Sequence, residues 1–264
     1  MIRVEAVFVT FNPGTPLARR ALDGIDLQIP PGQFVTVIGS NGAGKSTLLN
    51  VLSGDVIPEK GRVMINERDV TRWSTPQRAK LVARVFQNPE SGSCAHLTVE
   101  ENLALAYRRG QGRGLRPALN RSVRKEFGSR LARLGLGLEN RLGDRMGLMS
   151  GGQRQAISLL MSTLAPNQIL LLDEHTAALD PKTAAYVLQL TREIVAERGS
   201  TTLMVTHSMR QALTLGDRTI MLHEGRIIFD VSGAERAGLE VADLLRRFEE
   251  LRGEELTDDT LLLS

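Results

Sequence analysis

The segment "QFVTVIGSNGAGKSTLLNVLSG", residues 33–54, constrains the fold more than any other part of the chain. Its β-branched and apolar start reads as a buried strand, and "STLLNVLSG" has helical spacing with a terminal glycine. Between them, "GSNGAGKST" places Gly39, Gly42 and Gly44 where a residue without a Cβ lets the backbone wrap closely around an anion. Strand, glycine-rich turn and helix in that order predict a phosphate cradle. The N–H groups at the helix N-terminus face the anion, and the helix dipole favours it. Lys45 is spaced to reach the outer phosphate oxygens, and the Ser46 hydroxyl to bind Mg2+.

A second stretch, "ILLLDEHTAALDP" from Ile169 to Pro181, ends an apolar strand in Asp173, Glu174 and His175. A phosphate loop working with Mg2+ needs an acid at the end of a neighbouring buried strand, and Asp173 fits that role. Glu174 falls one residue past the strand, where a carboxylate can accept a proton from an attacking water. Neighbouring strand side chains point to opposite faces, so three consecutive residues make a poor transition-metal site. His175 is therefore read as a neighbour of the chemistry and not as a ligand.

The rest of the chain frames these two stretches. "GRVMINERDV" predicts a strand, a turn and a second strand. From about Ser91 to Leu164 the pattern turns helical, with Thr98 and Glu101 laid out as a capping box and "RSVRKEFGSRLARLGL" carrying apolar residues at three- and four-residue spacing. The glycine-rich segment 108–120 between these helices is expected to be a mobile surface loop. Strands then return in "QILLLDE", "TTLMVTH", "RTIMLHEG" and "RIIFDV", with the helix "KTAAYVLQLTREIVAERG" after the first. Such alternation predicts an α/β fold: a P-loop core with a mostly parallel sheet, an antiparallel β region and a helical sub-domain. The expected division is a core of residues 1–90 and 165–235, a helical part of 91–164, and a C-terminal helix and tail of 236–264.

Composition narrows the function classes. A net charge of +3 is too small to argue for nucleic acid, and Arg108-Arg109 reads as a solvated face. The single Cys94 excludes an intrachain disulfide and fits a reducing compartment. The uncharged run Gln155–Leu172 contains Pro166, Asn167 and Gln168, so it reads as helix, turn and strand and not as a membrane span. "MIRVEAVFVTF" alternates like a strand and lacks the layout of a signal peptide. A soluble protein is expected, reaching any membrane only through a partner. His96 and His223 read as surface residues.

The third motif is "LMSGGQRQA", residues 148–156. Ser150 is a good N-cap, and Gly151-Gly152 expose N–H groups at the helix start, a second anion-binding terminus. With these motifs in this order, the chain from Val4 to about Asp230 resembles the ATP-binding-cassette (ABC) ATPases. "GSNGAGKST" is similar to the family's Walker A, which implies that Gly39, Ser40, Asn41, Gly42, Ala43, Gly44, Lys45, Ser46 and Thr47 hold the nucleotide. "ILLLDE" resembles Walker B, with Asp173 on the metal and Glu174 as catalytic base. "MSGGQ" resembles the signature, with Met149 where leucine is usual and Ser150, Gly151, Gly152 and Gln153 meeting nucleotide. "VFQNP" places Gln87 as the Q-loop glutamine beside the metal, "TAALD" places Asp180 in the D-loop, and "MVTHS" places His207 as the switch histidine. His207 also has a physical argument, since it ends a strand at the sheet edge where α/β folds bind ligands. Phe11 stands where the family carries an adenine-stacking aromatic; Phe8 is close, and the alternative reading makes either ring part of the core. His175 departs from the pattern, because many relatives have proline or alanine there, and it implies an altered D-loop entrance.

The resemblance implies ATP and Mg2+ as ligands and a homodimer of this chain sandwiching two ATP molecules. Ser150 and Gly152 would then complete the γ-phosphate cage across the dimer. It also implies transmembrane permease subunits, an extracytoplasmic substrate-binding protein, no nucleic acid, and a cytoplasmic place on the inner face of the membrane. "DEHTAALDP" is similar to a bacterial subgroup paired with importers, some linked to aromatic amino acids. An exporter or lipid-extraction motor is the alternative within the family, and a cassette protein acting on ribosomes or DNA the alternative outside transport.

Overall fold

The computed structural model describes residues 1–112 and 117–252. In chain order the strands are β1 (Ile2–Phe11), β2 (Arg19–Ile29), β3 (Phe34–Gly39), β4 (Lys60–Ile65), β5 (Arg68–Asp69), β6 (Val82–Val85), β7 (Ile169–Asp173), β8 (Thr201–Val205), β9 (Arg218–His223) and β10 (Arg226–Ser232). The α-helices are α1 (Lys45–Ser53), α2 (Thr75–Arg78), α3 (Val99–Tyr107), α4 (Arg121–Ala132), α5 (Gly151–Leu164), α6 (Pro181–Arg198), α7 (Met209–Thr214), α8 (Gly233–Ala237) and α9 (Val241–Arg252). The chain divides into two compact units, residues 1–75 with the chain from 199 onward, and residues 76–198.

In the first unit, β1 pairs antiparallel with β2 and β4, and β4 with β5. β1 buries Ile2 and Val4, then Val7 and Val9, an alternation shifted once by the bulge around Ala6, so that one face lies on a core. The strand that leads into the phosphate loop has a different character. β3 pairs in parallel with both β8 and β9, and all six of its residues are buried. A strand covered on both faces needs continuous apolar sequence, which "FVTVIG" supplies apart from Thr36. The Thr36 hydroxyl is satisfied by the Ala212 carbonyl at 3.0 Å, so its burial leaves no orphaned polar group. β10 closes this edge antiparallel to β9. Beside the sheet, Leu244 and Phe248 of α9 pack with Ile38, Met209, Ala212 and Met221.

The second unit holds the parallel pair β6–β7 and helices α3 to α6. Every residue of β7 is buried. α3 opens with the capping box expected of Thr98 and Glu101, both reciprocal bonds being present. Tyr107 of α3 meets Phe127 of α4 edge to face, with ring centroids 5.8 Å apart. The loop expected over 108–120 falls partly on 113–116, and the end of the expected tail on 253–264, both outside the described residues. Among the described residues no helix is long and apolar enough to cross a membrane.

Two surface expectations change. Arg109 does not join Arg108 on a solvated face: it is half-buried and donates to the Ser162 carbonyl at 3.1 Å. His223 packs edge to face on Phe248 at 5.8 Å, because α9 returns the distant C-terminal part of the chain to the end of β9. His96 is exposed, as is Cys94.

Candidate nucleotide site

The loop after β3 shows why its glycines stand where they do. Gly39, Gly42 and Gly44 all have positive φ, at 146°, 76° and 102°. A Cβ on Gly39 would lie 2.1 Å from the Leu222 carbonyl oxygen, and one on Gly44 would lie 2.4 Å from that of Ala21. The loop is thus pressed against the backbone of β9 and β2, which only glycine permits. Gly225 N–H donates to the Ala43 carbonyl at 3.0 Å and Arg19 Nη2 to that of Gly42 at 3.1 Å, fixing the loop from outside. Lys45 is buried, and its ammonium donates to the carbonyls of Gly39 at 2.8 Å and Ser40 at 3.0 Å. That folds the side chain back over the loop. Ser46 is exposed at the first turn of α1, whose leading N–H groups have no partner within the helix.

Two other predicted residues of this unit are linked to the loop. Phe11 pairs across β1–β2 with Arg19, the residue whose guanidinium holds Gly42. Its ring is 41% exposed, whereas Phe8 packs against Gly24 and beneath the Arg20 guanidinium. Phe11 is therefore the aromatic left with an open face. His207 lies two residues past Val205, which pairs with Val37, so the β3–β8 register puts it level with Gly39. Thr206 N–H continues the ladder to Val37 O at 3.1 Å, and Ser208 caps α7 just beyond.

In the second unit, β6 and β7 run in parallel with Val85 beside Leu172, which brings Gln87 level with Glu174 past the strand ends. Asp173 is 8% exposed, and its Oδ2 accepts from Arg84 Nη2 at 2.6 Å. Glu174 sits in the left-handed region with φ 43°, a strain of about 1–3 kcal/mol for a residue with a Cβ. Its carbonyl accepts from Ala177 N–H at 3.0 Å, closing the turn that follows. His175 is buried inside the unit. The Thr191 hydroxyl donates to the Val187 carbonyl at 2.8 Å, so it accepts from His175 Nε2–H at 2.9 Å. Burial pushes the imidazole down to a pKa of about 4, and the ring is neutral.

Ser150 caps α5 as expected, its hydroxyl accepting from Gln153 N–H at 3.2 Å while Gln153 Oε1 accepts from Ser150 N–H at 3.1 Å. Asp180 begins α6 in the same way, accepting from Thr183 N–H at 3.1 Å. The Thr183 hydroxyl and N–H hold its carboxyl below the usual carboxylate range. These two helix starts adjoin: a Cβ on Gly152 would lie 2.2 Å from Thr183 Cγ2, and one on Gly151 3.8 Å from Leu179 Cδ2. α5 is also tied to the chain around Gln87, through Gln155 Nε2 to Phe86 O at 3.3 Å and an Arg154–Glu90 ion pair at 2.7 Å. Arg84 was not among the residues the motifs single out. A cation inside the apolar strand "LVARVF" is the one sign of it, since such a charge needs a buried partner.

Known proteins resemble this chain in sequence and fold. The family model for ABC transporters matches residues 22–177. A tyrosine transport ATP-binding protein of Clostridioides difficile is 44% identical over 251 residues, 94% of this chain and 99% of that protein. A thiamine import ATP-binding protein of Yersinia pseudotuberculosis is 38% identical over 205 residues, 78% of this chain and 82% of the relative. Among solved structures, the dimeric post-hydrolysis ATP-binding cassette MJ0796 with ADP and Pi matches with a TM-score of 0.76 at 29% identity, over 88% of this chain and 98% of that one. The cassette MJ1267 in its ADP conformation matches with a TM-score of 0.78 at 26% identity, over 96% and 99%. With the family model, a relative spanning nearly its whole length and the cassette fold in agreement, this chain belongs to the ABC transporter family as an ATP-binding cassette that hydrolyses ATP.

Proposed function

We propose that this chain drives a bacterial importer for amino acids, two copies closing on two ATP molecules and reopening after hydrolysis. The phosphate loop carries the proposal: three positive-φ glycines pressed on neighbouring backbone and a buried Lys45 held over the loop carbonyls. Gly39 to Thr47 hold the phosphates, Lys45 meets the outer oxygens, and Phe11 offers its open ring to the adenine. Ser150, Gly151, Gly152 and Gln153 of one copy serve the γ-phosphate bound by the other, with Asp180 beside that junction. The dimeric solved cassette supports this pairing.

The donor set suits Mg2+, because the Ser46 hydroxyl, the Gln87 amide oxygen and the buried Asp173 carboxylate are all hard oxygen ligands. When bound, that ion neutralises charge gathering on the phosphate oxygens. Glu174, held in its strained turn beyond Asp173, accepts the proton of the attacking water, and His207 donates a hydrogen bond to the γ-phosphate or orders that water.

Import is favoured by the relatives, one named for thiamine import and the more similar one for tyrosine transport, and the second name points to an amino-acid cargo. The permease docks in a groove of about 1300 Å³ within the second unit, lined by Val85, Phe86, Leu97, Leu105 and Met161. Leu105 presents a 52% exposed side chain there. In this reading the chain works on the cytoplasmic face of the membrane, and an extracytoplasmic substrate-binding protein delivers cargo on the other side.

The test is the solution mass of Glu174→Gln with and without Mg-ATP. A monomer that becomes a dimer on adding ATP, with turnover reduced by roughly 10²–10⁴-fold, is the expected result. Substantial remaining hydrolysis would refute Glu174 as the base. Absence of ATP binding would refute the nucleotide site.

A further inference from the structure

Arg84 stands on β6 opposite Leu171 of β7. Strand side chains alternate, so Arg84 shares a face with Leu171, with Asp173 two residues further along β7, and with Phe86 two residues further along its own chain. A diagonal neighbour on a sheet is within reach of a long side chain. The guanidinium takes that diagonal: Nη2 lies 2.6 Å from Asp173 Oδ2, and Cζ lies 4.7 Å from the Phe86 ring centroid. Both side chains of the pair are only 11% exposed. The aromatic face lies against the cation and holds it beside the carboxylate.

We propose that Arg84 is a resident counter-charge at Asp173, with which a divalent metal ion has to compete. This rests on the reading of Asp173 as the metal anchor. An isolated buried carboxylate would attract a dication without nucleotide. Paired with Arg84, the Asp173 carboxylate is itself charge-compensated although Glu174 follows it, and the guanidinium repels an approaching cation. Metal binding then depends on the phosphate charge that the nucleotide brings. Arg84 acts through Asp173 and is a positioning residue that sets metal affinity.

The experiment measures Mn2+ affinity by the electron paramagnetic resonance of free Mn2+, with the protein in excess over a non-hydrolysable ATP analogue. Arg84→Met removes the charge and keeps an apolar stem on Phe86. Arg84→Gln removes the charge and keeps a hydrogen-bond donor. A full opposite charge in contact with a largely buried carboxylate changes that carboxylate's affinity for a second cation by about tenfold or more, through Coulomb repulsion alone. Both variants are therefore expected to bind Mn2+ about tenfold more tightly than the parent, or better. Asp173→Asn is expected to bind it more weakly than the parent. If the two Arg84 variants match the parent or bind more weakly while Asp173→Asn loses affinity, the competition is refuted and the anchor stands. If Asp173→Asn matches the parent, the anchor itself falls. Should Arg84→Met fail to fold, the Arg84→Gln value alone decides.

Discussion

Acid should weaken this protein through one buried ring. His175 is enclosed in the second unit, its neutral imidazole donating to Thr191, and burial lowers its pKa from 6.5 to about 4. In the unfolded chain the ring takes up a proton below about pH 6.5, but the folded chain resists protonation until about pH 4. The unfolded state therefore binds more protons across that window. The stability that His175 contributes is complete above it and is lost as pH falls through it. Each pH unit in the window is worth about 1.4 kcal/mol, so about 2 kcal/mol should disappear between about pH 7.5 and about pH 5. His175→Leu has no such proton to take up. It should be less stable than the parent at neutral pH by about 1–2 kcal/mol, from the Thr191 hydroxyl left short of a donor. Urea unfolding of both proteins at the two pH values, followed by far-UV circular dichroism, isolates the effect because other groups titrate in both. The gap between them should close or invert at the lower pH. Parallel loss of stability in parent and variant would show that His175 is protonated as easily folded as unfolded, and would refute the argument.

Two further outcomes follow from the loop and from a cap. Gly39→Ala forces a Cβ to within 2.1 Å of the Leu222 carbonyl oxygen at φ 146°, so it should cost about 3 kcal/mol and abolish nucleotide binding, measured by thermal melting and a fluorescent ATP analogue. Thr98→Ala removes the hydroxyl that accepts from Glu101 N–H at 3.2 Å, and should cost about 1 kcal/mol in thermal melting with nucleotide affinity unchanged.

Much of the site was legible in the sequence because its parts are short-range. A strand, a glycine-rich turn and a helix within residues 33–54 need only local sterics, and the positive φ of Gly39, Gly42 and Gly44 follows from them. The caps at Thr98 and Ser150 are equally local, each closing through a residue three positions on. The buried acid ending "ILLLD" and the order of the motifs were likewise set by the sequence alone, and with them the cassette fold.

What only the tertiary structure decided lies in pairings across long separations. Arg84 and Asp173 are 89 residues apart, and nothing local joins them until β6 and β7 take up their register. In the sequence the His175 ring reads as a neighbour of two acids, with nothing local to say whether it is buried. Its burial depends on α6 bringing Thr191 across it. His223 reads as a surface turn residue until α9 lays Phe248 against it, and Phe11 is told from Phe8 only by which ring Gly24 and Arg20 cover. Backbone conformation is dictated by neighbours in sequence, whereas the charge partner and solvent access of a side chain are set by residues that only folding brings within a few ångströms.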